Sequence, residues 1–323
     1  MTHKQHPIDS GFSAAATADD ILAGIDLTGK NVVVTGGCAG IGLEVTKALS
    51  KAGASVTATS RNPEAAAALA DAEGIRVERL DLVDPASIND FALRWLATKR
   101  PLHILINGAG ASGGPERDAR GYETQFATNH LGHFQLTLGL LPALRAAHGA
   151  RVVNVSSSAQ RFADIRWDDP NFHTGYNSRA AYAQSKTANV LFAVELDRRF
   201  ADEGIRAYAV HPGVVVGTKL NGSAGADALR TMGLIDGDGN PIIDPEVGKK
   251  TPQQGASTIV FAATSPLLAD IGGVYLKDND ISRLDDEPRQ LTADCIPAEV
   301  VSHSVNPTSA RRLWELSERL LDA

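Results

Sequence analysis

The sequence predicts an α/β protein, a single domain built on a doubly wound parallel sheet with helices on both faces. Three observations carry that prediction. From about Leu27 onward, short apolar runs rich in β-branched residues alternate with helical patterns, and strand then helix, repeated, signals a parallel sheet. The runs lack polar alternation, which suits strands buried on both sides. The first run, NVVVT, passes through a glycine-rich turn directly into a helical pattern. A chain of 323 residues can bury the core that such a fold needs.

The elements follow in order. Residues 1 to about 16 are small, polar and glycine-containing and read as a mobile arm, the start of a flexible segment reaching residue 26. Thr17-Ala18-Asp19-Asp20 resembles a capping box that opens a short helix. After NVVVT come a helix from about Gly40, the strand ASVTATS, a helix after Pro63, IRVERLDL, a helix after Pro85, and LHILIN. A long helix around Tyr122 to Arg145 leads to the strand ARVVNVS, a helix containing KTANVLFAVEL, and the strand IRAYAV, which ends at His211-Pro212-Gly213. Residues 217–250 turn glycine-rich and irregular and read as a substrate loop or lid. A helix near Thr251 to Ala263, a short strand GGVYL, a tail from about Asp278 and an amphipathic helix from Pro307 to Leu321 complete the chain. No solenoid-length repeat is visible.

Composition narrows the function. A formal net charge of -7 supplies no basic surface for nucleic acid. The two cysteines, Cys38 and Cys295, lie far apart and offer no disulfide framework, so a reducing, cytoplasmic setting is expected. The first residues lack a signal-peptide core, and no apolar run approaches the roughly 18 residues that span a bilayer.

Candidate ligand residues cluster at the predicted strand ends, where open α/β sheets bind ligands. In Thr35-Gly36-Gly37-Cys38-Ala39-Gly40-Ile41-Gly42, glycines permit a tight turn and let a pyrophosphate approach the backbone at a helix N-terminus. Arg61, closing the second strand, offers a guanidinium to a 2′-phosphate where an NAD enzyme often has an acid. NADP is therefore preferred over NAD, although Gly37 and Cys38 add no second basic partner. Asp81 and Leu82 can meet an adenine edge, or Asp81 can be a turn residue or cap before Pro85. Asn107-Gly108-Ala109-Gly110 is a small-residue turn that lets a cofactor lie close.

The segment Tyr182-Ala183-Gln184-Ser185-Lys186 carries the chemistry. Residues four apart share a helix face, so the phenol and the ammonium point into one pocket. A nearby cation favours phenolate and is expected to lower a tyrosine pKa that is ordinarily near 10, which makes Tyr182 an acid/base candidate. His130 and His133 are three apart but lack a third ligand at metal spacing, so no metal is expected. Asp236 to Asn240 echoes a calcium loop, but Pro241 and Val247 occupy its glycine and glutamate positions, so a lid turn is expected instead.

These motifs together resemble the short-chain dehydrogenase/reductase family, with a Rossmann-type fold. The resemblance lies in TGxxxGxG at Thr35 to Gly42, the turn at Asn107 to Gly110, Asn129 in TNHLGHF, the serines of VVNVSSS, YxxxK at Tyr182 to Lys186, and Pro212-Gly213. NHLGHFQLT, YAQSKTANVLF and HPGVV resemble the retinol-dehydrogenase-like and WW-domain-oxidoreductase-like branch. The resemblance implies an alcohol/carbonyl oxidoreductase with a tetrad of Asn129, Ser157, Tyr182 and Lys186, Ser156 being the alternative serine. It also implies that Pro212, Gly213 and Val215 line the nicotinamide, while Thr218 stands about one position later than the usual threonine. Two other classes compete: a non-catalytic NADP-binding scaffold and a sugar-nucleotide epimerase. Phe162, Trp167, Phe172 and Tyr176 suggest an apolar or aromatic substrate, unless they are packing anchors. The apolar stripes FQLTLGLLPAL and ANVLFAVEL suggest a homodimer or homotetramer, unless the C-terminal tail covers them.

Overall fold

The computed structural model describes residues 4–66, 75–216, 218 and 225–322. Its centre is an eight-stranded sheet formed by β1 (Asn31–Thr35), β2 (Ser55–Ser60), β3 (Arg76–Arg79), β4 (Ile104–Asn107), β5 (Ala150–Val155), β6 (Ile205–His211), β9 (Val274–Lys277) and β10 (Asp280–Ile281). The spatial order is β10-β9-β6-β5-β4-β1-β2-β3, and every pairing but β9 with β10 is parallel. A separate pair, β7 (Val214–Val215) and β8 (Lys249–Lys250), follows the Pro212-Gly213 turn. The chain changes direction of winding between β1 and β4, the crevice where such sheets bind ligands.

Alternation along the strands assigns the two faces. Val32 and Val34 pack with α1 (Ala18–Leu22), α2 (Gly40–Lys51) and α9 (Pro252–Thr264), whereas Val33 packs with α3 (Pro85–Ala97) and α7 (Ser178–Phe200) on the other side. All three valines are fully buried, as strands covered on both faces require. Helix starts are locally encoded. Asp84 caps α3 by accepting from the Ala86 amide (3.0 Å) ahead of Pro85, and Thr251 and Gln254 form a capping box on α9 ahead of Pro252. Thr17 and Asp20 form the expected box on α1.

The expected long helix at 122–145 is divided. It begins as α4 (Thr124–Phe126), widens into a π-helical turn over Ala127–Leu131, and continues as α5 (Gly132–Gly139) and α6 (Leu141–Arg145). A Cβ at Gly132 would stand 2.3 Å from the Leu82 carbonyl oxygen, so the segment passes directly over the turn after β3. Pro142 then restarts the helix in α6. After Pro63 a single turn, Glu64–Ala66, is described, and the remainder of that expected helix lies outside the described residues. Part of the expected lid, residues 217 and 219–224, also lies outside them, while α8 (Ala226–Thr231) and the 232–248 loop are described. There the Asp236 carboxylate accepts the Asp238 and Asn240 amides, which is turn chemistry.

Both described terminal segments pack onto the rest of the chain. Gln5, 3% exposed, bonds both main-chain groups of Tyr275 on β9 and the Ser282 carbonyl just past β10, and the Asp280 carboxylate accepts the Ile8 and Ser10 amides. The segment expected to be mobile is therefore docked from Lys4 onward, through Gln5 on the main chain of Tyr275 and Ser282 and through its own amides on Asp280. At the other end, α10 (Pro307–Leu321) lies on α7, and Trp314 packs against Phe134, Phe192 and Phe200 at 4.8 to 6.0 Å between ring centres. The stripe offered above to a second copy is thus covered by the chain's own last helix. No helix of the described residues is long and apolar enough to cross a membrane.

Candidate active site

A cavity of about 1690 Å³ runs along the C-terminal ends of β1, β2, β4, β5 and β6. That exceeds the roughly 300 to 1,000 Å³ of a typical small-molecule site, and leaves room for a dinucleotide with a second reactant. The glycine turn forms one end. α2 starts at Gly40 behind Ala39, whose side chain cannot cap the first amides, and Gly40 has φ 54° with open space beyond it save for Thr218. A Cβ at Gly42 would sit 2.4 Å from the Gly36 carbonyl oxygen, so only glycine lets the helix close onto the turn. These features fit a pyrophosphate held by backbone amides and the helix dipole. Gly36, Ile41, Arg61, Asp81 and Leu82 also line this end. Arg61 is exposed at the rim, and the Asp81 carboxylate accepts the Val83 amide (3.2 Å), so Asp81 is both a turn residue and a lining residue.

Two expected cofactor contacts stand behind the wall. Thr35 is fully buried, and its hydroxyl accepts the Gly108 (2.9 Å) and Ala109 (3.0 Å) amides, so it shapes the lining turn from below. Asn107, 1% exposed, donates to Asn154 Oδ1 (2.8 Å) and Thr137 Oγ1 (3.2 Å) and fastens β4 to β5 and α5. Neither lines the cavity, whereas Gly108 and Ala109 do. A strand's last residue points inward or outward by register, which a motif does not reveal.

At the centre, Tyr182, Ser157 and Lys186 line one part of the cavity, and Pro212, Gly213 and Val215 line it as well. α7 presents Tyr182 and Lys186 one helical turn apart, and Asn177 caps that helix by accepting the Ala180 amide (2.9 Å). The Ser157 side chain stands near enough to the Tyr182 phenol to favour its ionised form, while Ser156 is buried and donates to the Lys186 carbonyl (2.7 Å). The geometry therefore brings Ser157, rather than Ser156, to the phenol. Lys186 Nζ lies 5.5 Å from the centre of the Tyr182 ring and donates to the Val155 carbonyl (3.0 Å).

Electrostatics depart from expectation here. Burial pushes the Tyr182 phenol up to about 12, against the lowering from Ser157, and burial pushes Lys186 down to about 8. The lowered tyrosine pKa expected from a neighbouring ammonium is absent, because desolvation acts on both groups and weakens the ammonium itself. Asn129 sits fully buried in the π turn. Its side chain accepts the Ala111 amide (2.7 Å) and donates to the Ala111 carbonyl (3.0 Å) and Ser185 Oγ (2.9 Å), partners other than Lys186.

Of the four aromatics considered for the substrate, Phe162 alone lines the cavity, and it is 53% exposed. The other three anchor their loop. Phe172 is buried under the Arg166 guanidinium (4.4 Å), Trp167 lies under Arg312 (4.3 Å), and the Tyr176 hydroxyl donates to the Gly114 carbonyl (2.7 Å). Glu116, Arg117 and Arg179 line the same end and were not singled out in the sequence. Their only signal was position: 116 and 117 follow β4's C-terminal end, and Arg179 precedes Tyr182 by about one turn. Thr218 lines the cavity as well. Among the described residues no group of three or more His, Cys, Asp or Glu side chains is placed to hold a metal. His130 instead bonds Ser317 Oγ (2.7 Å) on α10, and His133 bonds Thr35 Oγ1 (2.8 Å).

A doubly wound sheet whose switch-point crevice joins a glycine-turned helix to a tyrosine and lysine on one helix face defines a nucleotide-binding oxidoreductase. The chain belongs to the short-chain dehydrogenase/reductase family, whose short chain dehydrogenase model matches residues 30–228. It is 42% identical over 308 residues to a "Probable oxidoreductase" of Streptomyces lividans, covering 93% of this chain and 100% of that protein. Human retinol dehydrogenase 11 is 36% identical over 305 residues (92% and 87% covered), and the zebrafish (Danio rerio) WW domain-containing oxidoreductase is 35% identical over 318 (94% and 71%). Among solved structures, an uncharacterized protein from Mycobacterium Paratuberculosis superposes with TM-score 0.71 at 30% identity (96% and 98% covered). The RhlG/NADP complex of Pseudomonas aeruginosa gives 0.60 at 26% (78% and 95%).

Proposed function

We propose that the protein is an NADP-preferring oxidoreductase that interconverts an alcohol and a ketone or aldehyde, with Tyr182 as general acid/base. The observation that carries this reading is the meeting of Tyr182 and Ser157 hydroxyls, above Lys186, in a cavity continuous with the glycine turn. A phenol held protonated up to about 12 retains at neutral pH the proton that a carbonyl oxygen needs. Ser157 adds a second donor toward the same oxygen, so developing charge meets groups already in place. Lys186, buried and anchored on Val155, stays mostly protonated at neutral pH beside the ring and is available to a ribose hydroxyl. Asn129 secures the Ala111 main chain and Ser185, and thereby keeps the lining turn in register with α7.

NADP, when bound, supplies or accepts the hydride at its nicotinamide ring. Gly36, Gly40, Ile41 and Gly42 would hold its pyrophosphate, Asp81 and Leu82 its adenine, and Gly108, Ala109, Pro212, Gly213 and Val215 its nicotinamide half. Arg61 would take the 2′-phosphate. The NADP named in the RhlG complex supports that choice by relationship. A non-catalytic scaffold would need neither the Tyr182–Ser157 contact nor its placement in the cavity. Phe162 supports a carbonyl compound with one apolar flank, and the retinol dehydrogenase relatives point the same way. Two free cysteines support a reducing, cytoplasmic setting.

The test is a panel of aldehydes and ketones assayed by loss of NADPH absorbance with wild type and Tyr182→Phe. Turnover should fall at least about a hundredfold in the variant, with NADPH affinity nearly unchanged. Near-wild-type turnover in Tyr182→Phe would remove the assigned acid/base.

A further inference from the structure

We propose that His133 is a positioning residue for this reaction: its imidazole ties the Thr35 hydroxyl to the Asn129 main-chain carbonyl, and so fixes the cavity-lining 108–111 turn against the helix that carries Tyr182. The inference rests on the functional reading above.

His133 is 1% exposed and lies one helical turn after Asn129. Its Nδ1 is 3.0 Å from the Asn129 carbonyl oxygen and its Nε2 is 2.8 Å from Thr35 Oγ1. A carbonyl can only accept, so Nδ1 carries the proton, and the neutral ring then offers a lone pair at Nε2. The Thr35 hydroxyl must donate to it, which leaves Thr35 Oγ1 as acceptor for the Gly108 and Ala109 amides. The Ile106 carbonyl, at 3.3 Å, is the weaker claimant for the same proton. Every bond in the chain thus has one direction, from the Gly108 and Ala109 amides through Thr35 and His133 to Asn129.

At the far end, the Asn129 side chain holds both main-chain groups of Ala111 and donates to Ser185 Oγ, which donates to the Tyr182 carbonyl (2.7 Å). The lining turn is consequently gripped at 108 and 109 by Thr35 and at 111 by Asn129. His133 is what joins the two grips. Bonds aligned in this way reinforce one another in a buried setting, and loss of one partner leaves others unsatisfied. The π turn at Ala127–Leu131 brings Asn129 and His133 to face β1 and α7 together, and such turns often mark functional positions.

The experiment compares wild type with His133→Phe, His133→Asn, Thr35→Val, Thr35→Ser and the double variant His133→Phe/Thr35→Val. The readouts are NADPH dissociation constant, kcat, KM for one carbonyl compound, and cooperative thermal unfolding. His133→Phe keeps an aromatic ring but loses both bonds. It should weaken NADPH binding and lower kcat by about tenfold each, while KM for the carbonyl compound stays within about twofold. His133→Asn, which restores a donor toward the Asn129 carbonyl, should recover part of the loss, and Thr35→Ser should resemble wild type. The double variant should be little worse than Thr35→Val alone, because the two residues act through one connected chain of bonds. A folded His133→Phe that binds NADPH and turns over within about twofold of wild type would overturn the proposal, as would losses that multiply in the double variant. If His133→Phe fails to fold, Thr35→Val decides: loss of NADPH affinity and kcat, restored in Thr35→Ser, supports the link, and wild-type behaviour defeats it. A wild type that neither binds NADPH nor reduces any carbonyl would overturn the functional reading together with this one.

Discussion

Arg61 stands exposed just past the end of β2 at the cavity rim, where we propose that it meets the one phosphate by which NADP differs from NAD. Arg61→Asp replaces a phosphate partner with a group that repels phosphate and accepts from a ribose hydroxyl. The ratio of NADP to NAD dissociation constants should shift by about ten- to a hundredfold toward NAD, since charge-assisted bonds are worth roughly 1.5 to 3 kcal/mol. Titration of both coenzymes against both proteins reads the ratio directly, and an unchanged ratio removes Arg61 from coenzyme choice. Three histidines set an acid limit at the same scale. Burial holds His130 down to about 3, His133 to about 4 and His211 to about 3, against an ordinary 6.5. Folded pKa values below the unfolded one mean that the unfolded chain binds more protons, so stability is full above 6.5 and is lost as pH falls toward the folded values. Each histidine should contribute a loss of about 1 kcal/mol by one unit below 6.5. Denaturant midpoints at pH 7 and pH 5.5 check it, and equal midpoints would mean that these rings are not buried neutral. The sequence signalled Tyr182 and Lys186 through their spacing and Ser157 only through the family resemblance, whereas Thr35 and Asn107, expected as cofactor contacts, stand behind the cavity wall. Motif position names the loop, while register decides which side chain faces the cavity.

Among the elements, α10 matters more than its distance from the chemistry suggests. Trp314, 3% exposed, fills the gap among Phe134, Phe192 and Phe200 and donates its indole proton to Glu318 (2.7 Å). Those phenylalanines lie on the two helices that carry the His133 region and Tyr182. Trp314→Ala should cost about 3 to 5 kcal/mol in urea unfolding, the range for deleting a buried tryptophan. It should also bare the stripe and promote self-association visible by light scattering. A loss below about 1 kcal/mol would mean that the helix packs only loosely. The final helix itself was legible from its amphipathic period, and its bounds agree with expectation. Its seat was not, because a stripe on one helix and a stripe on another do not say whether the partner is the same chain. The break in the 122–145 helix was equally hidden: beside the π turn Gly132 passes over Leu82, a contact between residues fifty apart.

For the molecule as a whole, the sheet was readable because each strand is short, apolar and followed by turn chemistry, whereas the docking of both terminal segments depends on surfaces that only the assembled fold presents. With Gln5 bound on β9 and α10 on α7, the apolar motive for a dimer is met internally. Light scattering at micromolar concentration should therefore give one species with the mass of a single chain, and a stable dimer would require an interface other than the α5 and α7 stripe. The cavity is what unites these scales: the switch point locates it, the glycine turn lines one end, and α7 delivers the Tyr182 hydroxyl that we propose as acid/base. Hydride transfer tests that union most directly. NADPH deuterated at the transferable nicotinamide position is incubated with the best carbonyl substrate, and the alcohol is analysed by mass spectrometry. Wild type should give alcohol carrying one deuterium at the former carbonyl carbon, and Tyr182→Phe, with NADPH still bound, should give at least about a hundredfold less. Deuterium absent from the alcohol, or equal labelling by both proteins, would contradict the account.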